Sequence, residues 1–404
     1  MSREPARDHY DAIVDLFPRK QARNYAYAIV KLTYEVVNGQ AVLTQAKPLE
    51  HDLRDPELDP KMPVGSDFWP GKDATDVVVR GSAYARAPVQ ETWVGVQVGK
   101  TTKHVKIIGQ RYVEWRGAVP GFSSPEPFEE MAITNANAYG GCDLRVPVDP
   151  PSSVEDEIAQ TYDHPGVYPR NPFGKGYLVS PEPPDPDVRV ALPNLEDPAD
   201  LLTPARLIVG DPKLWWRQPL PWTYAWHHPL MFPRYIYMGA DAWFPGPQDA
   251  SLAEVARGLL APNYQRDVVD AFRLHQKCSA IFYQEASLGL SFRDLQPGTP
   301  ITVAGMHPDG RQISFALPQP PAIEIAVEKD VEQVQAQLTN LVIDPAEAKF
   351  SLTWVGRRSK MPRKFIPEIH ANIPLLVWVD RDQPIVYDAP KTLKQKLAAS
   401  KPSA

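Results

Sequence analysis

Residues 24–44 read NYAYAIVKLTYEVVNGQAVLT, and this stretch sets the expected fold. β-Branched and aromatic side chains alternate with other residues along it, which is typical of a strand with one buried face. Asn38-Gly39 interrupts the alternation, and this dipeptide is the strongest short-range signal for a tight turn between antiparallel strands. The stretch therefore predicts a β-hairpin and indicates that a sheet begins here.

The alternation continues toward residue 115. Residues 76–85 (DVVVRGSAYA), 92–98 (TWVGVQV) and 104–115 (HVKIIGQRYVEW) each resemble a strand, and they are separated by short turn-like segments. Three consecutive strands with short connections predict a meander. We expect residues 24–115 to build one antiparallel sheet.

A second group of strand signals occupies residues 280–355. Asp309-Gly310 stands between ITVAGMH and QISFAL and predicts another hairpin. Residues 322–328 (AIEIAVE) and 350–355 (FSLTWV) predict one more strand pair. We expect this group to form a second sheet, separate from the first.

Between the two groups, residues 117–250 lose all periodicity and are rich in proline, glycine and aromatic residues. A disordered linker would be poor in aromatic side chains, so we expect ordered loops held by aromatic packing. Residues 251–277 predict two short helices split at Pro262. The expected fold is mainly β, a β-rich α+β arrangement of antiparallel, sandwich-like halves. The expected domains are an N-terminal extension (1–20), a β-rich domain (21–358) and a basic tail (359–404).

Composition narrows the class of protein. The chain has 404 residues, 43% of them hydrophobic, and its 45 prolines are roughly twice the usual share. Two cysteines cannot form a disulfide scaffold, and the sequence shows neither a signal peptide nor an apolar run of membrane-spanning length. These features predict a cytoplasmic protein without a membrane span.

Charge is unevenly distributed. The net charge is −6, which argues against general nucleic-acid binding. Residues 351–404 hold ten Lys or Arg and four Asp or Glu, a net of +6, so residues 1–350 carry −12. The basic end is expected to attract an acidic partner surface at long range.

Nucleotide and metal motifs are incomplete. Residues 95–101 (GVQVGKT) have three residues between the glycines, where a phosphate-binding loop needs four and a following helix. His275 and Cys278 have ligand-like spacing, but His227 and His228 do not complete a tetrahedral set with them. We expect no cofactor and no metal.

An enzyme remains the alternative class. Cys142 follows two glycines, and His164 or His104 can in principle act as its base in a hydrolase. No serine lies in a G-x-S-x-G elbow. The aromatic run between Trp215 and Trp226 can also be interpreted as a sugar-stacking platform of a carbohydrate-active protein, or as packed core.

Several short motifs recur in an order that resembles one bacterial family, the domain of unknown function 2169, over about residues 20–358. They are 65–72 (GSDFWPGK) leading to 75–79 (TDVVV), 108–111 (IGQR), 127–131 (PFEEM), 137–141 (NAYGG), 171–176 (NPFGKG), 192–196 (LPNLE), and 343–344 (ID) before 352–354 (LTW).

The resemblance implies a non-enzymatic role, because members of that family look like adaptors or chaperones of type VI secretion that help to load a toxic effector onto the spike tip. Their partners would be the effector and a spike-tip protein. Aromatic and arginine side chains are enriched at interface anchors, so we expect docking on the aromatic segment between about Trp215 and Phe244, supported by the loops around residues 171–176. The candidate partner-binding residues are Trp215, Trp216, Arg217, Trp222, Tyr224, Trp226, Asn171 and Lys175.

The charged residues of the shared motifs have a structural interpretation as well. Lys72, Arg111 and Arg217 can pair with Asp76 or Glu196 in a buried network that satisfies the long loops. We favour this internal role over presentation of charge to a partner.

Overall fold

The computed structural model describes residues 10–17, 25–49, 67, 72–117, 119–147, 164–183, 188–227, 231, 284–327, 330–358, 375–379 and 385–387. Strands dominate these ranges, so the mainly-β prediction is confirmed. The helices predicted near 251–277 lie outside the described residues.

The strands follow one another along the whole described chain. In order, they are β1 (Tyr10–Phe17), β2 (Tyr25–Val37), β3 (Gln40–Leu43), β4 (Thr75–Val79), β5 (Ser82–Val89), β6 (Glu91–Val98), β7 (Thr101–Ile108), β8 (Val113–Arg116), β9 (Val119–Phe122), β10 (Phe128–Ala132), β11 (Tyr139–Gly140), β12 (Lys175–Gly176), β13 (Leu195–Glu196), β14 (Ser291–Phe292), β15 (Pro300–Ala304), β16 (Ile313–Ala316), β17 (Ile323–Val327), β18 (Asp330–Val334), β19 (Ala336–Asp344), β20 (Lys349–Arg358), β21 (Leu375–Val379) and β22 (Ile385–Tyr387). Short 3₁₀ turns occupy Asn135–Asn137, Pro204–Arg206 and Pro212–Arg217.

Both predicted hairpins are confirmed. β2 pairs with β3 through Asn38 and Gly39, whose φ angles of 51° and 79° are those a two-residue hairpin turn requires. β15 pairs antiparallel with β16, and Gly310 in the connecting loop has a φ of 70°.

The division into two separate sheets is wrong for the described strands. The large sheet has the order β1-β2-β20-β19-β4-β14, and β3 pairs with the C-terminal end of β2. The sheet therefore combines strands from both ends of the chain. The five-stranded sheet, β13-β7-β6-β15-β16, mixes them too. Local sequence patterns identify strands. Which strands pair depends on how the whole chain buries their apolar faces.

Two finer pairing predictions also fail. Within 76–115, β6 pairs with β7, but β5 pairs with β10 instead of continuing the meander. β17 does not pair with β20; it pairs with β18 and β21. β1 lies within residues 1–20 and pairs with β2, and β21 lies within residues 359–404 and pairs with β17.

The main core lies between the large sheet and the five-stranded sheet, which pack as a sandwich. Phe350 on β20 stacks on Phe315 on β16, with ring centroids 3.9 Å apart. Valine, isoleucine and leucine side chains from both sheets surround this pair, and the cluster is almost fully buried. Burial of this apolar area is the main stabilising contribution to the fold.

The loop-rich middle has a core of its own, as its aromatic content predicted. Tyr139, Tyr168, Tyr177 and Trp215 are nearly fully buried and contact one another edge-on or tilted, with ring centroids 5.1 to 6.4 Å apart. Aromatic pairs in these geometries contribute beyond their buried area. The described loops therefore pack around rings instead of around regular strands.

Candidate partner-binding site

The candidate residues divide into buried and partly exposed groups. Trp215, Tyr224, Trp226 and Asn171 are buried, with at most 4% of their surface exposed. Residues this deeply buried offer almost no contact area to a partner. The half-buried or exposed candidates are Trp216, Arg217, Trp222 and Lys175.

Trp215 and Trp216 are neighbours on the 3₁₀ turn Pro212–Arg217 and point to different environments. The turn begins at Asp211, whose side chain accepts a hydrogen bond from the backbone N–H of Lys213. Trp215 joins the middle core, where the Arg170 guanidinium lies 5.1 Å from its ring centroid. Arg217 lies 5.0 Å from the Trp216 ring at the surface and does not form the predicted acidic pair in any described contact. Trp216 and Arg217 are thus the accessible part of this turn.

Trp222 and Tyr224 cover a buried lysine. The Lys103 ammonium lies 4.2 Å from the Trp222 ring centroid and donates to the carbonyls of Thr223 and Leu288 and to the Ser287 hydroxyl, each at 2.7 to 2.8 Å. Burial lowers the pKa of Lys103 from 10.5 to about 7.

The same two aromatic side chains are also held by backbone carbonyls. The Trp222 indole donates to His104 at 2.6 Å, and the Tyr224 hydroxyl donates to Val94 or Lys103 at 3.0 to 3.1 Å. The aromatic run therefore supports the five-stranded sheet, and its packed-core interpretation describes most of its rings.

Asn171 ties two of the recurring motifs together. Its amide nitrogen donates to the carbonyls of Asn135 and Tyr139 at 2.7 and 3.1 Å. A Cβ on Gly140 would lie 2.1 Å from the Asn171 carbonyl oxygen, so this approach requires glycine. Lys175 follows on β12, pairs with β11, and donates to Gln110 and Asn137.

Cys142 and His164 do meet, as the hydrolase alternative requires. Their Sγ and Nδ1 atoms are 3.5 Å apart, and Nδ1 also accepts the backbone N–H of Gly166 at 2.9 Å. Burial, with a smaller contribution from Asp143, raises the pKa of the thiol to about 11, and burial lowers the pKa of His164. The pair is thus a neutral thiol beside a neutral imidazole, unlike the thiolate of an activated cysteine.

The predicted internal network is present for two of its three cations. Lys72 donates to Asp76 at 2.7 Å and to Asn340 at 2.6 Å, and Glu285 lies 3.4 Å away. The second pair joins Arg111 and Glu196.

The network continues along the face of the large sheet that points away from the main core. Asp67 accepts hydrogen bonds from Lys31 at 2.8 Å and Thr353 at 2.5 Å, and Asp76 accepts from Ser291 at 2.5 Å. These side chains are almost completely buried. Removing one partner from a buried ion pair is costly, so the network fixes Asp67 and residues 72–76 on the sheet.

An open cleft lies at one end of the large sheet. Its volume is about 830 Å³, within the range of small-ligand and peptide sites. Tyr27 and Arg357 line it from two neighbouring strands, and the loop after β14 contributes Arg293. Four glutamines and two prolines also line it: Gln296, Gln319, Gln335, Gln337, Pro297 and Pro320.

The remaining motif predictions concern the nucleotide loop, the metal ligands and a membrane span. Residues 95–101 lie on β6, a turn and the start of β7, so no helix follows the glycines. Among the described residues, no group of three or more His, Cys, Asp or Glu side chains is arranged to hold a metal. His228, His275 and Cys278 lie outside them. No helix in the described ranges is long and apolar enough to cross a membrane.

The fold and the site define a mainly-β protein with a buried polar face, an aromatic second core and an open polar cleft. Residues 21–355 match the family described as an uncharacterized protein conserved in bacteria (DUF2169). The match covers most of the chain, and the chain belongs to this family. No curated protein and no solved structure matches it.

Sequence reasoning placed Lys72 and Trp354 in recurring motifs and Arg357 in the basic end, but it did not predict that they line a common cleft. Tyr27, Arg293 and Arg357 are far apart in sequence and belong to no motif, so only the strand order brings them together. It also did not single out Trp93, which is 52% exposed on β6. Strict alternation along 92–98 places Trp93 and Gln97 opposite the buried valines, and this signal was available in the sequence.

Proposed function

We propose that this chain is a non-enzymatic adaptor that binds a secreted toxic effector of a type VI secretion system in the cytoplasm and helps to load it onto the spike tip. Membership of the family and the resemblance of its members to such adaptors support the proposal. The observation that carries it is the open cleft, because a cleft rich in glutamine, arginine, proline and aromatic side chains suits a polypeptide.

The partly exposed candidates are further proposed binding residues, outside the lining of the cleft. Trp216 and Arg217 form an accessible aromatic and cationic pair, and Lys175 contributes a half-buried amine. Trp and Arg are the residue types that dominate interface energies. Buried candidates such as Trp215 and Asn171 would act indirectly, by holding these loops.

Affinity capture from the native bacterial cytoplasm tests the proposal. The full-length tagged chain is expected to retain a toxin and a spike-tip protein, identified by mass spectrometry against a tag-only control. Co-expression with that toxin should then raise its soluble yield. Failure to enrich any toxin or spike protein, together with no effect on solubility, would reject the adaptor role.

A hydrolase remains a second candidate because of one contact, the 3.5 Å approach of Cys142 Sγ to His164 Nδ1. The raised pKa of the thiol weighs against it, because an acyl-transfer nucleophile needs thiolate character at neutral pH. Loss of a measurable esterase or amidase activity in Cys142→Ala would favour this candidate over the adaptor. For a carbohydrate-active role of the aromatic run, the structure offers the half-buried Trp222.

A further inference from the structure

The charge of the cleft differs from the charge of the chain. The protein has a net charge of −6, yet among the described residues that line the cleft Lys72, Arg293 and Arg357 stand against one carboxylate, Asp73. Lys72 is neutralised by Asp76 and Glu285 in the buried network. Within this described lining the two exposed arginines outnumber Asp73, and their guanidinium groups favour an anionic group.

One wall of the cleft is a strand edge. β4 pairs with β19 from Asn340 onward, so among the described strands none pairs with Ala336–Leu338 on that side. Side chains make the connection there instead: Thr75 Oγ1 donates to the Leu338 carbonyl at 2.8 Å, and Gln337 Nε2 donates to the Lys72 carbonyl at 2.9 Å. An extended peptide can hydrogen-bond to such an edge.

The remaining lining suits a peptide better than a phosphate. Glutamine side chains both donate and accept, which matches the alternating N–H and C=O groups of an extended main chain. Arginine also binds phosphate, but phosphate-binding loops add backbone N–H groups at helix N-termini or in glycine-rich turns. The cleft is lined by strand ends and by two proline-containing loops.

We propose that the cleft recognises an extended acidic segment of a protein partner. The partner's main chain runs beside Ala336–Leu338, and its Asp or Glu carboxylates reach Arg293 and Arg357. A guanidinium has five N–H donors, so each arginine can add a carboxylate to its existing contacts. This inference rests on the proposed function, because it names the kind of segment by which the partner would be held.

Fluorescence anisotropy with the full-length protein tests the inference. The probe is a fluorescein-labelled octapeptide of alternating glutamate and alanine, and its counterpart has glutamine for every glutamate. We expect the acidic peptide to bind about tenfold more tightly than the neutral one, because charge-assisted hydrogen bonds are roughly twice as strong as neutral ones. The double variant R293Q/R357Q should remove this difference.

The matched control is Arg116→Gln, an exposed arginine on β8 outside the cleft. It should retain the wild-type preference, and thermal melting should show that all variants are folded. Equal binding of the two peptides, no binding of either, or an unchanged preference in R293Q/R357Q would overturn the inference. Tighter binding of ATP than of the acidic peptide, lost in R293Q/R357Q, would also overturn it and assign the cleft to a phosphate ligand.

Affinity capture with the same variants separates the two proposals. If wild type and R293Q/R357Q retain the toxin equally, the cleft inference fails while the adaptor function stands. If wild type retains no toxin and no spike protein and does not raise toxin solubility, the adaptor function fails, whatever the peptides show.

Discussion

Cys142 is the residue whose chemistry separates the two functional classes. Burial raises the pKa of its thiol to about 11, so roughly one molecule in 10⁴ carries the thiolate at pH 7. We predict slow alkylation by iodoacetamide at pH 7, with a rate that rises about tenfold per pH unit up to pH 10. The measured quantity is the difference in alkylation rate between wild type and Cys142→Ser under native conditions. Fast alkylation at pH 7 would indicate an activated nucleophile and support the hydrolase.

Lys103 should make stability depend on pH. Its folded pKa of about 7 lies below the unfolded value of 10.5, so between these values the unfolded chain binds more protons. The free energy of unfolding therefore rises with pH across this window, by up to about 1.4 kcal/mol per pH unit for this group. We predict that urea denaturation at pH 7 and pH 9 shows a positive slope, and that Lys103→Met reduces it.

The matched control for Lys103 is Lys106→Met on the same strand, whose side chain points to the solvent side and pairs with Glu91 at 2.9 Å. This variant should keep the wild-type slope. A slope that is the same in Lys103→Met and wild type would show that the buried amine does not titrate in this range.

At the scale of elements, the turn Pro212–Arg217 offers a direct comparison of two adjacent tryptophans. Trp215 is 2% exposed in the middle core, and Trp216 is half-buried beside Arg217. Trp215→Ala should cost about 3–5 kcal/mol of unfolding free energy, because it leaves a large cavity. Trp216→Ala should cost much less and should weaken retention of the toxin. Equal losses of stability in the two variants would place both rings in the core.

The elements also show how far sequence reasoning reaches. The hairpin at Asn38-Gly39 was predictable because its turn chemistry is local. The pairing of β2 with β20 was not predictable, because the paired residues are more than 300 positions apart in sequence. The aromatic run was recognisable, but without helical or strand periodicity the sequence could not tell which rings point inward. The sequence offered Asp76 and Glu196 as possible partners of Lys72 and could not choose between them, whereas Glu285 and Asn340 join Lys72 only in the folded chain.

At the scale of the whole molecule, Asp76 connects distant parts of the chain. Its carboxylate accepts from Lys72 at 2.7 Å, from the backbone N–H of Glu285 at 2.6 Å and from Ser291 at 2.5 Å, and Lys72 in turn binds Asn340 on β19. Asp76, like Asp67, is therefore a buried carboxylate that joins segments from both halves of the sequence on the large sheet.

Asp76→Asn should consequently weaken both halves together. The change leaves the buried Lys72 ammonium undercompensated, and removal of one partner from a buried ion pair costs about 3–5 kcal/mol. Hydrogen exchange followed by mass spectrometry should show faster exchange in β4 and in β19 and β20 alike. The control is Asp200→Asn, which breaks the partly exposed pair with Arg206 and should change exchange near residue 200 alone. If Asp76→Asn speeds exchange in β4 and leaves β19 and β20 protected, the network stabilises only the region of β4. The apolar sandwich alone then holds the two halves of the chain together.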